Sequence, residues 1–214
     1  MARIGKEHYL EIKKMYEEGN TMSDIARHFS VSLDAIVYAM RKGQIPRRTM
    51  SEMQKFRFER KPLSFTMRKV TKREEEDLIL AGVILYWAEG YKTSKSHGVD
   101  FANSDPKMIK VFVKFLRTCY KLDEKRLRIL LYCYSNQNVP KLIKFWSKLT
   151  GIPERQFSKP YIRESYSSSG RKMQYGLVHV RYSDKKLLFD ILERIGKFKI
   201  DLCVGTQVVN EGKL

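Results

Sequence analysis

A single carboxylate, Glu89, ends the apolar run Gly82-Val83-Ile84-Leu85-Tyr86-Trp87-Ala88 and stands immediately before Gly90. The run reads as the last turns of a helix. The C-terminal end of a helix carries partial negative charge, so an acid there is unfavourable by about a few tenths of a kcal/mol. Such an acid asks for a cation. Lys92 or Lys95, just past the glycine, could supply it. So could a divalent metal held over nucleic acid. Carboxylates that hold metal ions against a phosphate serve phosphodiester hydrolysis, in which the ion activates water and stabilises the leaving oxygen.

The whole chain favours a polyanionic partner. Its 214 residues carry 42 Lys and Arg against 24 Asp and Glu, a formal net charge of +18. That excess is the electrostatic footprint of a nucleic-acid binder. An anionic membrane surface is the weaker alternative, because no basic amphipathic helix stands apart from the folded segments. A hydrophobic fraction of 43% supports a packed core and excludes a disordered basic tail. Cys119, Cys133 and Cys203 form no CxxC pair, and His8, His28, His97 and His179 show no metal-site spacing. The scattered cysteines point to a reducing compartment. With no apolar leader at the N-terminus and no run long enough to span a bilayer, the expected location is cytoplasmic.

Several elements must position Glu89. Near the N-terminus, Tyr9, Leu10, Ile12, Met15 and Tyr16 have helical spacing, stopped at Gly19-Asn20. Ser23 reads as the cap of a short second helix and Ser32 as the cap of a third, Leu33 to Lys42. The stretch Ile25-Ala26-x-x-Phe29-Ser30-Val31-Ser32-x-x-x-Ile36 resembles the helix-turn-helix of resolvases and many bacterial regulators, with Ala26 at the helix crossing and Ser30 in place of the usual turn glycine. Its third helix would present Leu33, Asp34, Val37, Tyr38 and Arg41. That face is poor in the Arg, Asn and Gln that read base edges, so phosphate docking is the simpler use. Packing or dimerisation is the other use of such a unit. Residues 47–72 read as a basic linker broken by Pro62, holding Arg47 and Arg48. With Arg41 and Lys42 it forms an arm that could track a DNA backbone; a solvated linker is the alternative.

From Glu74 the pattern changes. Asp77 to Glu89 reads as a buried helix, Val99 to Ala102 as a strand, and Pro106 to Tyr120 as a helix with Ser104 as its cap. Arg126 to Tyr134 reads as a strand and Val139 to Thr150 as a helix. Phe157 to Tyr166 and Gln174 to Tyr182 read as two strands joined by the Ser167-Ser168-Ser169-Gly170 turn. Asp184 to Gly196 reads as the final helix. The class is α+β, with boundaries expected at 1–46, 47–72, 73–200 and a tail, 201–214. Pro106-Lys107-Met108-Ile109-Lys110 recurs as Pro140-Lys141-Leu142-Ile143-Lys144. This echo is either a duplicated helix–strand unit or a shared use of proline at helix starts.

The acid-Gly helix terminus, the polar segment after it, the strand ending Phe101-Ala102-Asn103-Ser104-Asp105 and the amphipathic helix beyond together resemble the LAGLIDADG homing-endonuclease fold over residues 75–196. The resemblance implies an αββα-type domain whose first helix packs on its counterpart in a second copy. It makes Glu89 the ligand of a catalytic Mg²⁺ (or Mn²⁺). It matches Asp100 to a polar residue on the next strand and Arg181 to a basic residue on the last strand, both catalytic. The literal Leu80-Ala81-Gly82 is the wrong anchor, because it places Trp87 where the acid belongs. In the Glu89 register the family's interface glycine falls at Ile84 and its earlier acid at Trp87.

One acid per chain cannot serve two-metal cleavage of two strands, so activity implies a homodimer on double-stranded DNA. Asp34, Tyr38, Arg41, Lys42, Arg47, Arg48, Lys92 and Lys95 are then the expected DNA-contacting residues. Glu89 could instead pair with Lys92 or Lys95, and Asp100 could be an ordinary strand residue. The competing functions are a non-catalytic DNA-binding regulator that keeps the fold as a saddle, and a binder of structured RNA using Tyr161 and Tyr166 for stacking.

Overall fold

The computed structural model describes residues 4–93, 95–164 and 173–210, the last ten by their backbone. The chain divides into two compact units, Met1–Pro62 and Leu63–Leu214. Among the described residues no helix is long and apolar enough to cross a membrane.

The first unit holds helices α1 (Tyr9–Glu17), α2 (Met22–His28), α3 (Leu33–Lys42) and α4 (Met50–Arg60). Ile12, Tyr16, Ile25, Ile36, Met40 and Ile45 form its core. Thr21, not Ser23, caps α2: its hydroxyl accepts from Asp24 N while the Asp24 carboxylate accepts from Thr21 N, a reciprocal capping box. Ser32 caps α3, accepting from Ala35 N at 3.2 Å. Between α2 and α3 the chain must reverse within a few residues, and Ser30 takes φ 53° to do it. That left-handed conformation costs a non-glycine residue about 1–2 kcal/mol. Ser30→Gly is therefore expected to stabilise this unit by roughly 1 kcal/mol, net of glycine's greater chain entropy. The denaturant midpoint should rise with the slope unchanged; a fall would show that the hydroxyl matters more than the dihedral.

The stretch expected as linker contains α4. Its attachment is made by cations. The Arg48 guanidinium donates to Tyr16 O and stacks on the Tyr16 ring at 4.1 Å. Arg48 and Arg60 each lie 4.4 Å from the Phe56 ring centroid, and Arg60 donates to Gly19 O at 2.8 Å and to Glu18 O at 2.5 Å. These carbonyls end α1, where a cation is favourable.

The second unit begins with strand β1 (Phe65–Met67), then α5 (Arg73–Glu89), β2 (Val99–Asn103), α6 (Pro106–Cys119), β3 (Tyr120–Leu122), β4 (Leu127–Tyr134), α7 (Val139–Thr150), β5 (Tyr161–Arg163), β6 (Leu177–Tyr182) and α8 (Lys185–Asn210). The class is α+β. β1 pairs antiparallel with β3. The larger sheet runs β2-β6-β4-β5, antiparallel except for the parallel β4–β5 pair. Each long strand alternates, and its inward residues (Val99 and Phe101; Ile129 and Leu131; Val178 and Val180) are buried. They meet α6, whose Ile109, Phe112, Phe115 and Leu116 face the sheet while its lysines face out. α5 lies across α6 at Gly82. A β-carbon there would stand 2.0 Å from Phe115 Cγ.

Several boundaries differ from those read in the sequence. Asp105, not Ser104, caps α6, accepting from Lys107 N at 2.7 Å. β5 and β6 are not hairpin partners, because β4 lies between them. β4 buries four alternating side chains, so it is a central strand that needs a neighbour on each side. The Ser167–Gly170 turn falls outside the described residues. α8 continues to Asn210, through much of the segment expected as a tail. The echoed segments correspond to α6 and α7, each with proline in its first turn, a side-chain cap before it and a short 3-10 turn after it.

Candidate nucleic-acid interface

The alternation that buries one side of the large sheet leaves the other side open. Aligned across β2, β6 and β4 are Asp100, Arg181 and Arg128, then Ala102, His179 and Leu130. Tyr132 follows, with Leu177 on one side and Tyr161 on the other. Rings run across this face: Tyr132 lies 5.1 Å from both Tyr161 and His179. Basic groups beside flat rings suit a sugar-phosphate chain and its bases. The rings are also spaced to support one another.

Asp100 is tied into this surface. Its Oδ1 meets His179 Nδ1 at 2.7 Å, and its Oδ2 accepts from Arg181 Nε at 2.8 Å. Burial raises the carboxyl's pKa, but the hydrogen bonds and charges of His179 and Arg181 outweigh it and hold the group below its ordinary value. With both oxygens engaged, Asp100 acts here as a hub that orients two side chains. A carboxylate with a lowered folded pKa contributes stability above its unfolded value near 3.9, and that contribution is lost as pH falls through the folded value. Asp100→Asn should therefore lose roughly 1.5–3 kcal/mol at neutral pH. The difference from wild type should shrink below about pH 4. Acid-unfolding curves that overlay would show that the network adds nothing.

Glu89 reaches the same neighbourhood by another route. Gly90 forms an antiparallel bridge with Phe101 of β2, and Tyr91 N donates to Asp100 O at 2.9 Å. The end of α5 is thus stitched to β2, which puts Glu89 beside Ala102 at the sheet edge. Gly90 is required there because a β-carbon would meet Tyr86 at 2.5 Å. The helix-end cation is Lys92, but it serves the backbone: Nζ donates to Trp87 O and to Gly90 O at 2.8 Å each. The Glu89 carboxylate is exposed and makes no ion pair among the described residues. Lys95 stands apart from it, lining a groove of about 630 Å³ with Tyr91, Ser96, His97, Asp100 and Arg181.

Among the described residues no three His, Cys, Asp or Glu side chains come together to hold an ion. Mg²⁺ is usually bound by one or two carboxylates together with substrate phosphates. Glu89 would meet that demand together with phosphate oxygens, alone or with a carboxylate from a second copy. α5 has a surface that could bring one. Leu80, Ile84 and Trp87 are 43%, 40% and 37% exposed, and with Ala88 they form an outward stripe at helical spacing. Part of it is covered from within, since Trp87 meets Phe198 edge-on at 6.3 Å and Lys199 lies 4.8 Å from its ring centroid.

In the first unit Asp34, Tyr38, Arg41, Lys42 and Arg47 are all exposed. Arg41 and Lys42 lie 5.5 and 5.7 Å from the Tyr38 ring centroid. Arg48 is half-buried between Tyr16 and Phe56 and holds α4 rather than facing solvent. Tyr166 is outside the described residues. Sequence reasoning passed over His179, Tyr132, Arg128 and Arg163. Strand alternation was the available signal for them: His179 and Arg181 are two apart on β6, as are Leu130, Tyr132 and Tyr134 on β4. Compared with protein families, curated proteins and solved structures, the chain matches none of them.

Proposed function

We propose that this chain binds double-stranded DNA and cleaves it with Mg²⁺ or Mn²⁺, acting as a homodimer joined along α5. The observation that carries the reading is the exposed Glu89 carboxylate, without an ion pair among the described residues and set at the end of α5 between a partly exposed apolar stripe and a basic, aromatic sheet face. Two copies joined along that stripe would bring two Glu89 side chains to one axis. A divalent ion there would supply Lewis-acid activation of water and charge neutralisation at the scissile phosphate. The chain's own residues supply the rest. Arg181, oriented by Asp100, presents its remaining guanidinium donors to phosphate oxygens, with the His179 ring beside it; Arg128 extends the positive row. In the first unit, the α2–turn–α3 arrangement with exposed Tyr38, Arg41, Lys42 and Arg47 supports a helix-turn-helix docked on phosphates. The order α5-β2-α6, with the acid at the helix end, supports a divergent LAGLIDADG-like domain.

A second reading is a DNA-binding regulator without cleavage. It is favoured by the two side chains that engage both oxygens of Asp100, so that of the two acids expected at the site Glu89 alone makes no ion pair among the described residues. A mixed plasmid pool incubated with Mg²⁺ or with chelator separates the two. Chelator-sensitive nicking is expected. Retardation of the plasmid without nicking under either condition would leave the regulator.

A further inference from the structure

α6 has a second face that the sheet does not use. Its inward residues pack on the sheet, so the opposite side of the helix points away from the Asp100–Arg181 surface. On that side Lys110, Lys114 and Arg117 follow at intervals of four and three residues. Arg68 and Lys69, just after β1, come to the same place. Together with Glu75 they line a groove of about 360 Å³.

The groove is electrostatically incomplete. Arg117 is held by Glu124, with Nε–Oε1 2.9 Å and Nη2–Oε2 2.8 Å, and donates to Thr150 O at 2.6 Å. The anion on the rim, Glu75, accepts from Thr71 N at 3.3 Å. Arg68, Lys69, Lys110 and Lys114 make no ion pair among the described residues. Four cations without ion pairs, drawn from two segments, outnumber the single Glu75 carboxylate around one concavity, and a concave site with such an excess focuses its field on a counter-ion. From Lys110 to Lys114 the helix rises ~6 Å at 1.5 Å per residue. That matches about two nucleotides of one strand at 3.4 Å each.

We infer that this groove is a second phosphodiester-binding site, on the layer opposite the sheet, which lets one chain hold two DNA segments at once. The inference rests on the proposed function, because the second segment matters only if a first is held. Main-chain geometry fixes the site: Arg68 N donates to Cys119 O at 2.9 Å, which ties the segment after β1 that carries two of the cations to the end of α6. Bridging two segments is a capacity that the sheet face alone does not provide, since Arg181 and Arg128 lie on one face.

The test uses the full chain bound to a bead-tethered duplex, offered a second, fluorescent duplex in solution. Wild type should capture the second duplex. Lys110→Glu with Lys114→Glu should cut that capture at least tenfold while first-duplex affinity stays within about threefold. The salt slope of the second capture should fall by about two, one for each lost phosphate contact. The Lys110→Gln, Lys114→Gln pair should fall between, and unchanged thermal midpoints would show both variants folded. Undiminished second capture by the Glu pair overturns the groove, as does equal loss of both duplexes. A wild type that holds the first duplex but not the second overturns the groove and leaves the proposed function standing. A wild type that binds neither at low salt overturns both.

Discussion

Glu89→Gln should reduce Mg²⁺-dependent cleavage by at least about 100-fold and leave metal-free DNA affinity equal or higher. The substitution preserves size and hydrogen bonding and removes only the charge. A carboxylate that holds an ion contributes to several kcal/mol of transition-state charge stabilisation; losing about 3 kcal/mol of it slows the step about 100-fold. Affinity without metal rises or holds because one negative charge beside the phosphates is gone. No fold element should suffer, since Glu89 is exposed and makes no ion pair among the described residues. Relief of the helix-end repulsion could even add about 0.3–1 kcal/mol to stability. The contrary outcome is specific. Calorimetric Mn²⁺ titrations on DNA that coincide for wild type and variant, together with no cleavage by either, would remove the catalytic reading and leave a binding protein.

Gly82→Ala should destabilise the second unit by roughly 2–3 kcal/mol, lowering its thermal midpoint by about 5–10 °C. On an exposed helix the same change stabilises by about 1 kcal/mol, because alanine is the better helix former. Here the sign reverses. The new methyl would stand 2.0 Å from Phe115 Cγ and 2.4 Å from its Cβ. Phe115 is fully buried and packs in turn against Phe112, tilted, and Tyr120, edge-on, with centroids 5.8 and 6.2 Å away, so it cannot withdraw. Pairing Gly82→Ala with Phe115→Leu should recover part of the loss. A midpoint that rises in the single variant would show that α5 and α6 do not approach as closely as this contact requires.

Gly82 also separates what could be read from what could not. A glycine inside an apolar helix signals a close approach, and its neighbours Leu80 and Ala81 tempt one to put that approach at a partner copy. The approach is internal, to Phe115, while Ile84 occupies the outward stripe. Periodicity places residues on faces of their own helix but says nothing about which neighbour covers a face. Lys92 makes the same point on a smaller scale. Charge logic correctly called for a cation at the end of α5, yet two carbonyl oxygens rather than the Glu89 carboxylate receive it.

Local patterns in the chain determined much of this protein by themselves. Apolar spacing set α3, α7 and most of α5 and α6, and alternation set β4 and β6. These follow from interactions between residues a few positions apart, which the order of residue types records. The tertiary structure alone decided the strand order β2-β6-β4-β5, the internal use of Arg48, the joining of Asp100 to His179 and Arg181, and the gathering of Arg68 and Lys69 beside Lys110 and Lys114. Each depends on pairing across long separations in the chain, 79 residues in the case of Asp100 and His179. Such pairing is selected by burial of the whole core, and no local run of residues carries it.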